Sequence, residues 1–120
     1  GIRVFAAEPE GAADAYESLR RGSRDVNVVP HTICDGLRAT IGEINFDLLR
    51  ENDVTVLPAS DDEIVAAMRL IWERMKIVVE PSSAVVLAAI LRHRERFANQ
   101  RVGVIVTGGN VDLDRLPWMT

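Results

Sequence analysis

Lysine is almost absent from this chain. Of its 14 cationic residues only Lys76 is a lysine, the rest being arginine, so chemistry that needs a lysine amine has one candidate. Cysteine is equally scarce: a lone Cys34 excludes an internal disulfide framework and fits a reducing compartment. No excess of positive charge exists. The formal net charge of −4 argues against a dedicated nucleic-acid binder, which would carry a basic face. Long apolar runs are missing too. The longest, Ala84 to Leu91, is far too short to cross a bilayer, and Gly1-Ile2-Arg3-Val4 has neither the basic nor the apolar part of a targeting segment, so a cytoplasmic location is expected.

What remains is 120 residues, 48% hydrophobic and 27% charged, which is one domain of ordinary globular composition. Ile2 to Ala7 reads as a short strand ended by Glu8-Pro9. Asp14 is placed to begin a helix that Gly22 stops. Ser23 to Asp35 is irregular. Ile41, Ile44 and Leu48 mark one face of a second helix, and Asp53 to Pro58 a second strand. Ser60 and Glu63 have capping-box spacing ahead of Ile64, Ala67, Met68, Ile71 and Met75, the clearest helical stripe in the chain. Pro81 fits the first turn of a further helix, apolar on all sides and so expected to be buried on most of them. Val102 to Val106 is a third strand, continuous and β-branched, closed by Gly108-Gly109.

Strands alternating with helices predict an α/β fold: a three-layer parallel sheet with flanking helices. A sheet of three short strands is thin, and the abrupt opening on a strand resembles a cut. A portion of a larger α/β domain explains both better than a complete domain does.

Ligands of open parallel sheets sit at the carboxyl ends of strands. After the first strand come Glu8 and Asp14, hard oxygen donors of the kind Mg²⁺ or Ca²⁺ takes; the plainer reading leaves Glu8 solvated and Asp14 capping a helix. After the third come Thr107-Gly108-Gly109-Asn110. Two glycines admit a close ligand and the hydroxyl both donates and accepts, but a tight turn needs the same residues, and neither a dinucleotide fingerprint nor a P-loop is present. His31 and Cys34 lack further zinc ligands. With Asp35 they suggest a nucleophile set only weakly beside an incidental buried cysteine. His93, among Arg92, Arg94 and Arg96, reads as a solvated helix end, with the arginines available to phosphates or simply favoured at a helix C-terminus.

Several ordered segments resemble the serine/threonine dehydratase and serine racemase family. They are Glu8-Pro9 with Ala12-Ala13-Asp14, Thr32 to Leu37, Asp61 to Ile64, Trp72 to Lys76 with Glu80-Pro81-Ser82, and Val102 to Leu113. The resemblance covers essentially the whole chain. It implies a pyridoxal-phosphate enzyme of the tryptophan-synthase-β type (fold type II), with residues 1–120 forming the C-terminal segment of the large domain and no regulatory domain after it. The Schiff-base lysine, the substrate loop and the glycine-rich phosphate loop of that family come earlier in sequence, so no catalytic residue is assigned here, and Lys76 matches a different position. Thr107, with Gly108, matches the family's cofactor-binding Ser-Gly position, whose hydroxyl meets the pyridine nitrogen. Glu8, the Ala12 carbonyl and Asp14 match a divalent-metal site for Mg²⁺ or Ca²⁺. Lys76 and Asn110 match contacts to a nucleotide effector.

The implied reaction is α,β-elimination of L-serine or L-threonine to a 2-oxo acid and ammonia, with serine racemisation as a further capacity. The implied partners are an amino-acid substrate, the N-terminal remainder and a second copy in a homodimer, with no nucleic acid and no membrane. A fragment of this kind is expected to be inactive alone. The alternative is a non-catalytic metal- or nucleotide-binding module, or one half of a split enzyme.

Overall fold

The computed structural model describes residues 1–119. Strand β1 (Phe5–Pro9) leads through a 3₁₀ turn, Glu10–Ala12, into helix α1 (Asp14–Arg21). An irregular stretch holding a second 3₁₀ turn, Asp35–Leu37, precedes helix α2 (Glu43–Glu51) and strand β2 (Thr55–Ala59). Helices α3 (Asp61–Met75), α4 (Pro81–Arg92) and the single turn α5 (Arg94–Phe97) follow. The two strands pair in parallel, Phe5 opposite Thr55 through Pro9 opposite Ala59, with α1 and α2 as crossover. This is an α/β arrangement on a parallel sheet.

Local chemistry sets the helix ends. The Ser60 hydroxyl accepts from the Glu63 N–H while the Glu63 carboxylate accepts from the Ser60 N–H, a complete capping box. Gly22 closes α1 in the left-handed region at φ 76°, where a side chain would cost energy. Pro81 opens α4 at a position where an N–H would go unused. The core forms where α3 and α4 pack on each other and on the strands: Ile64, Met68 and Ile71 meet Ala84, Val85 and Ala88, with Ala59 and Val79 beside them. Small residues on α4 let the two helices approach closely. Trp72 seals one end, donating to the Val79 carbonyl at 2.9 Å and meeting Trp118 edge-on.

Two expectations need correction. Val102 to Val106 forms no strand: it pairs with neither β1 nor β2, and Ile105 is 80% exposed. A β-branched run suited to a sheet covered on both faces needs ladder neighbours, and among the described residues it has none. Between it and β1 lies a groove of about 650 Å³, floored by Val86, Ala89 and Ile90 of α4. Second, the α2 stripe faces outward. Ile44 is 76% and Leu48 51% exposed, whereas Phe46 is the residue that α2 buries. Periodicity locates an apolar face but not what covers it. Helix α4 meets its expectation: Ser83, Ala84, Val85, Ala88 and Ala89 are buried round most of its circumference, the half-buried Val86 and Ile90 line the groove, and Leu91 near its end is exposed.

The molecule is accordingly flat, 41 × 36 × 20 Å, with a radius of gyration of 14.5 Å against about 13.6 Å for a compact chain of this length. No helix is long and apolar enough to cross a membrane among the described residues.

Candidate functional site

Two loops carry the candidate residues, one at the carboxyl end of β1 and one after the unpaired Val102–Val106 run. The first joins β1 to α1. Glu8 sits in the strand, and its carboxylate accepts from the Ala15 N–H at 3.1 Å and the Tyr16 N–H at 2.9 Å. It therefore caps α1 from a distance, the task that spacing gave to Asp14. Asp14 is instead the first helical residue; only 3% exposed, it accepts from the Ile41 N–H at 2.6 Å and pins the chain ahead of α2. Burial pushes the Glu8 carboxyl up to about 7, against the two amide donors that lower it, and the nearby Asp14 charge pushes the same way.

Two carboxylates that repel each other in a part-buried loop, with no cation paired to either among the described residues, suit a hard divalent ion. No cluster of three His, Cys, Asp or Glu side chains forms among the described residues, so further ligands at this loop would be backbone carbonyls or water. Gly11 keeps the turn tight, its carbonyl accepting from the His31 N–H at 2.8 Å.

The second loop is Thr107 to Asn110. Its backbone is tied to the start of α4: the Ser83 hydroxyl accepts from the Thr107 N–H at 2.9 Å, the Glu80 N–H donates to the Gly108 carbonyl at 3.0 Å, and the Glu80 carboxylate accepts from the Asn110 N–H at 2.7 Å. A Cβ on Gly108 would fall 2.8 Å from that carboxylate, and one on Gly109 2.8 Å from the Val78 carbonyl. Gly109 is thus required by close approach to backbone, whereas a side chain at Gly108 would displace the Glu80 carboxylate. The Thr107 side chain is exposed and its hydroxyl has no hydrogen-bond partner among the described residues, leaving it free for a ligand. The Asp35–Leu37 turn reaches the same helix end, where the Gly36 N–H donates to the Ser82 hydroxyl at 3.0 Å.

Other candidates fare differently. Cys34 is fully buried, and burial pushes its thiol up to about 11, so it is a core residue and no nucleophile; His31 is exposed. Arg92 is committed to Glu10 and Glu63, at 3.3 Å from the latter, and is not a free phosphate contact. The His93 Nε2 is buried without a partner rather than solvated. Lys76 ends α3 at φ 59° and donates to the Glu73 carbonyl at 2.7 Å. It precedes by two residues the Val78 carbonyl that abuts Gly109, so Lys76 and Asn110 lie on chain segments that touch.

Glu80, Ser83 and Asp61 were not assigned roles by sequence. Asp61 accepts from the Thr32 hydroxyl and the Ile33 N–H and so organises the loop around Cys34. One signal for Glu80 was available. Glutamate is a poor N-cap, yet it stands at the N-cap of α4, just before Pro81, where Ser, Thr, Asp or Asn is preferred.

Thr107 presents an exposed hydroxyl with no hydrogen-bond partner among the described residues, beside Gly108 and Gly109, in a portion of an α/β domain built on a parallel sheet. The chain belongs to the family of pyridoxal-phosphate dependent enzymes, whose model matches residues 1–108. It is 53% identical over 116 residues to the beta-hydroxyaspartate dehydratase of Paracoccus denitrificans, covering 97% of this chain and 37% of that protein. It is 48% identical to the serine racemase of Dictyostelium discoideum, covering 96% of this chain and 37% of that protein. The crystal structure of that racemase superposes with a TM-score of 0.84 at 50% identity, over 93% of this chain and 36% of that one. The chain thus spans little more than a third of the length of the relatives it matches, and its fold is a portion of the larger domain of a fold-type-II enzyme.

Proposed function

We propose that this chain is the cofactor- and metal-facing segment of a pyridoxal-phosphate dependent ammonia-lyase acting on hydroxy-amino acids, with L-serine, L-threonine and 3-hydroxyaspartate as the substrate class and serine racemisation as a second outcome. The observation that carries the reading is Thr107: a free hydroxyl on a loop whose backbone is fixed at both ends, in a chain of this family. The bound cofactor supplies an electron sink that labilises the bonds at the substrate's α-carbon. The chain's own contribution is to place the Thr107 hydroxyl against the cofactor's ring nitrogen, with Gly108 leaving room for the ring. A neutral hydroxyl withdraws less charge than a carboxylate partner would. The amine that bonds the cofactor comes from the remainder of the protein, since Lys76, exposed at the end of α3, matches a different position of the family. This segment is inactive by itself.

The remainder also completes the sheet. A strand laid in the groove between β1 and Val102–Ile105 would pair both bare edges, cover α4 and hold Thr107 in register. The bare Ile44 and Leu48 stripe supports a homodimer contact. Lys76 and Asn110 are the residues offered to a nucleotide effector.

Full-length protein is expected to release ammonia and a 2-oxo acid from at least one of L-serine, L-threonine and threo-3-hydroxyaspartate, with Thr107→Ala lowering kcat about tenfold, the worth of one well-placed hydrogen bond. No ammonia from any of the three would end the proposal. Glu8, the Ala12 carbonyl and Asp14 are assigned to Mg²⁺ or Ca²⁺. Either ion is expected to raise the melting temperature of the full-length protein by linkage, and replacing both Glu8 and Asp14 by Ala to abolish the rise. A rise that survives the double substitution puts the ion elsewhere.

A further inference from the structure

The start of α4 breaks a local rule. An N-cap side chain ordinarily accepts from its own helix. Glu80 holds the N-cap position with extended backbone, φ −86° and ψ 164°, and makes no such bond. Its carboxylate turns away to the Asn110 N–H at 2.7 Å, while its own N–H donates to the Gly108 carbonyl at 3.0 Å. The carboxylate lies flat on Gly108, so close that both oxygens would be within 2.9 Å of a Cβ there. No cation pairs with it among the described residues, so it is not held as half of an ion pair. One residue thus grips the loop at two points, Gly108 and Asn110, while buried Ser83 grips it at Thr107. A sequence that spends a half-buried carboxylate in this way gives up a helix cap worth about 1 kcal/mol.

We propose that Glu80 is a positioning residue for the cofactor's ring-nitrogen partner: its two hydrogen bonds fix the Gly108–Asn110 turn so that Thr107 presents its hydroxyl in one orientation. This rests on the reading that Thr107 meets the cofactor. The Val102 to Val106 run enters the loop from one side without a ladder partner in this segment, so the anchors at the α4 end set where Thr107 stands. The backbone half of the grip, from the Glu80 N–H, survives any side chain; the half at Asn110 depends on an acceptor oxygen at glutamate length. Glutamine keeps that oxygen. Aspartate keeps the charge but falls one methylene short, and alanine removes the acceptor.

The test uses full-length holoenzyme with Glu80→Gln, Glu80→Asp, Glu80→Ala and, separately, Thr107→Ala. Three quantities are read: hydrogen exchange at the Asn110 amide, the dissociation constant and emission spectrum of bound pyridoxal phosphate, and the melting temperature of the cofactor-free protein. Glu80→Ala and Glu80→Asp are expected to speed Asn110 exchange at least tenfold, to weaken cofactor binding about tenfold and to shift the emission as Thr107→Ala does. Glu80→Gln is expected to stay within about twofold of wild type. A purely structural role would instead lower the melting temperature and speed exchange along all of α4. Should Glu80→Ala fail to fold, Glu80→Asp decides the same question. Wild-type exchange and cofactor binding in Glu80→Asp, or a glutamine variant as impaired as the alanine one, would overturn the proposal. If Thr107→Ala shifts the emission and Glu80→Asp does not, Glu80 has no positioning role and the Thr107 reading stands. If Glu80→Asp frees the Asn110 amide but neither variant changes the emission, the Thr107 reading falls and the positioning role falls with it.

Discussion

Gly11→Ala is expected to cost about 3 kcal/mol in chemical denaturation of the full-length protein. The methyl group would fall 1.8 Å from the His31 carbonyl oxygen and 2.7 Å from its carbon. Both are backbone atoms, so no rotamer change relieves the overlap. The turn and the His31 segment have to separate, which also breaks the bond from the His31 N–H to the Gly11 carbonyl. Because Glu8 and Asp14 flank this turn, the same substitution is expected to remove the stabilisation by Ca²⁺ or Mg²⁺. Gly22→Ala is the control: its Cβ meets nothing, but φ is 76°, so it carries backbone strain alone, about 1 kcal/mol. Equal costs at the two glycines would mean that the turn has room the structure denies it.

The second large effect is on pH dependence. The Glu8 carboxyl titrates near 7 in the folded protein against 4.5 for an ordinary glutamate, chiefly because it is buried. Between those values the folded state holds the proton more tightly than the unfolded state. Stability is therefore highest at and below about pH 4.5 as far as this group is concerned, falls as pH rises through the window, and levels off above 7. Solvent access to the loop trims the full linkage value to about 2 kcal/mol. In chelator, the denaturation midpoint of the full-length protein is expected to drop over this range, and Glu8→Gln to flatten the drop. Saturating Ca²⁺ should flatten it too, since an ion that takes the carboxylate displaces the proton and binds more tightly as pH rises. A midpoint without pH dependence in chelator, or an unaltered slope in Glu8→Gln, would contradict the assignment.

The parts of this fold that were legible in the sequence are those decided locally. Ser60 and Glu63 announce the start of α3, Gly22 the end of α1 and Pro81 the start of α4, because each satisfies or removes a backbone group within one turn. Parallel pairing was legible from the alternation of strands and helices. What failed depended on partners at a distance. Val102 to Val106 has the composition of a buried strand but no neighbour here to pair with. The Ile44 and Leu48 stripe has helical spacing but no cover. Asp14 looks like a cap by position, yet the carboxylate that reaches the α1 amides comes from Glu8 on the strand before it, a choice made by the path of the turn. The site was half legible. The glycines and hydroxyl of Thr107-Gly108-Gly109 were visible as a motif, whereas the anchors that fix them, Glu80 and Ser83, lie more than twenty residues earlier and meet them only through the fold.

The account's central claim is a division of labour: this segment supplies the ring-nitrogen partner of pyridoxal phosphate and a metal loop, and the remainder of the protein supplies the amine. Borohydride reduction of full-length protein loaded with pyridoxal phosphate, followed by peptide mapping, tests it most directly. The account predicts a single pyridoxyl-lysine lying outside this segment, at full occupancy in both wild type and Lys76→Arg. A label on Lys76 that disappears in Lys76→Arg would contradict it.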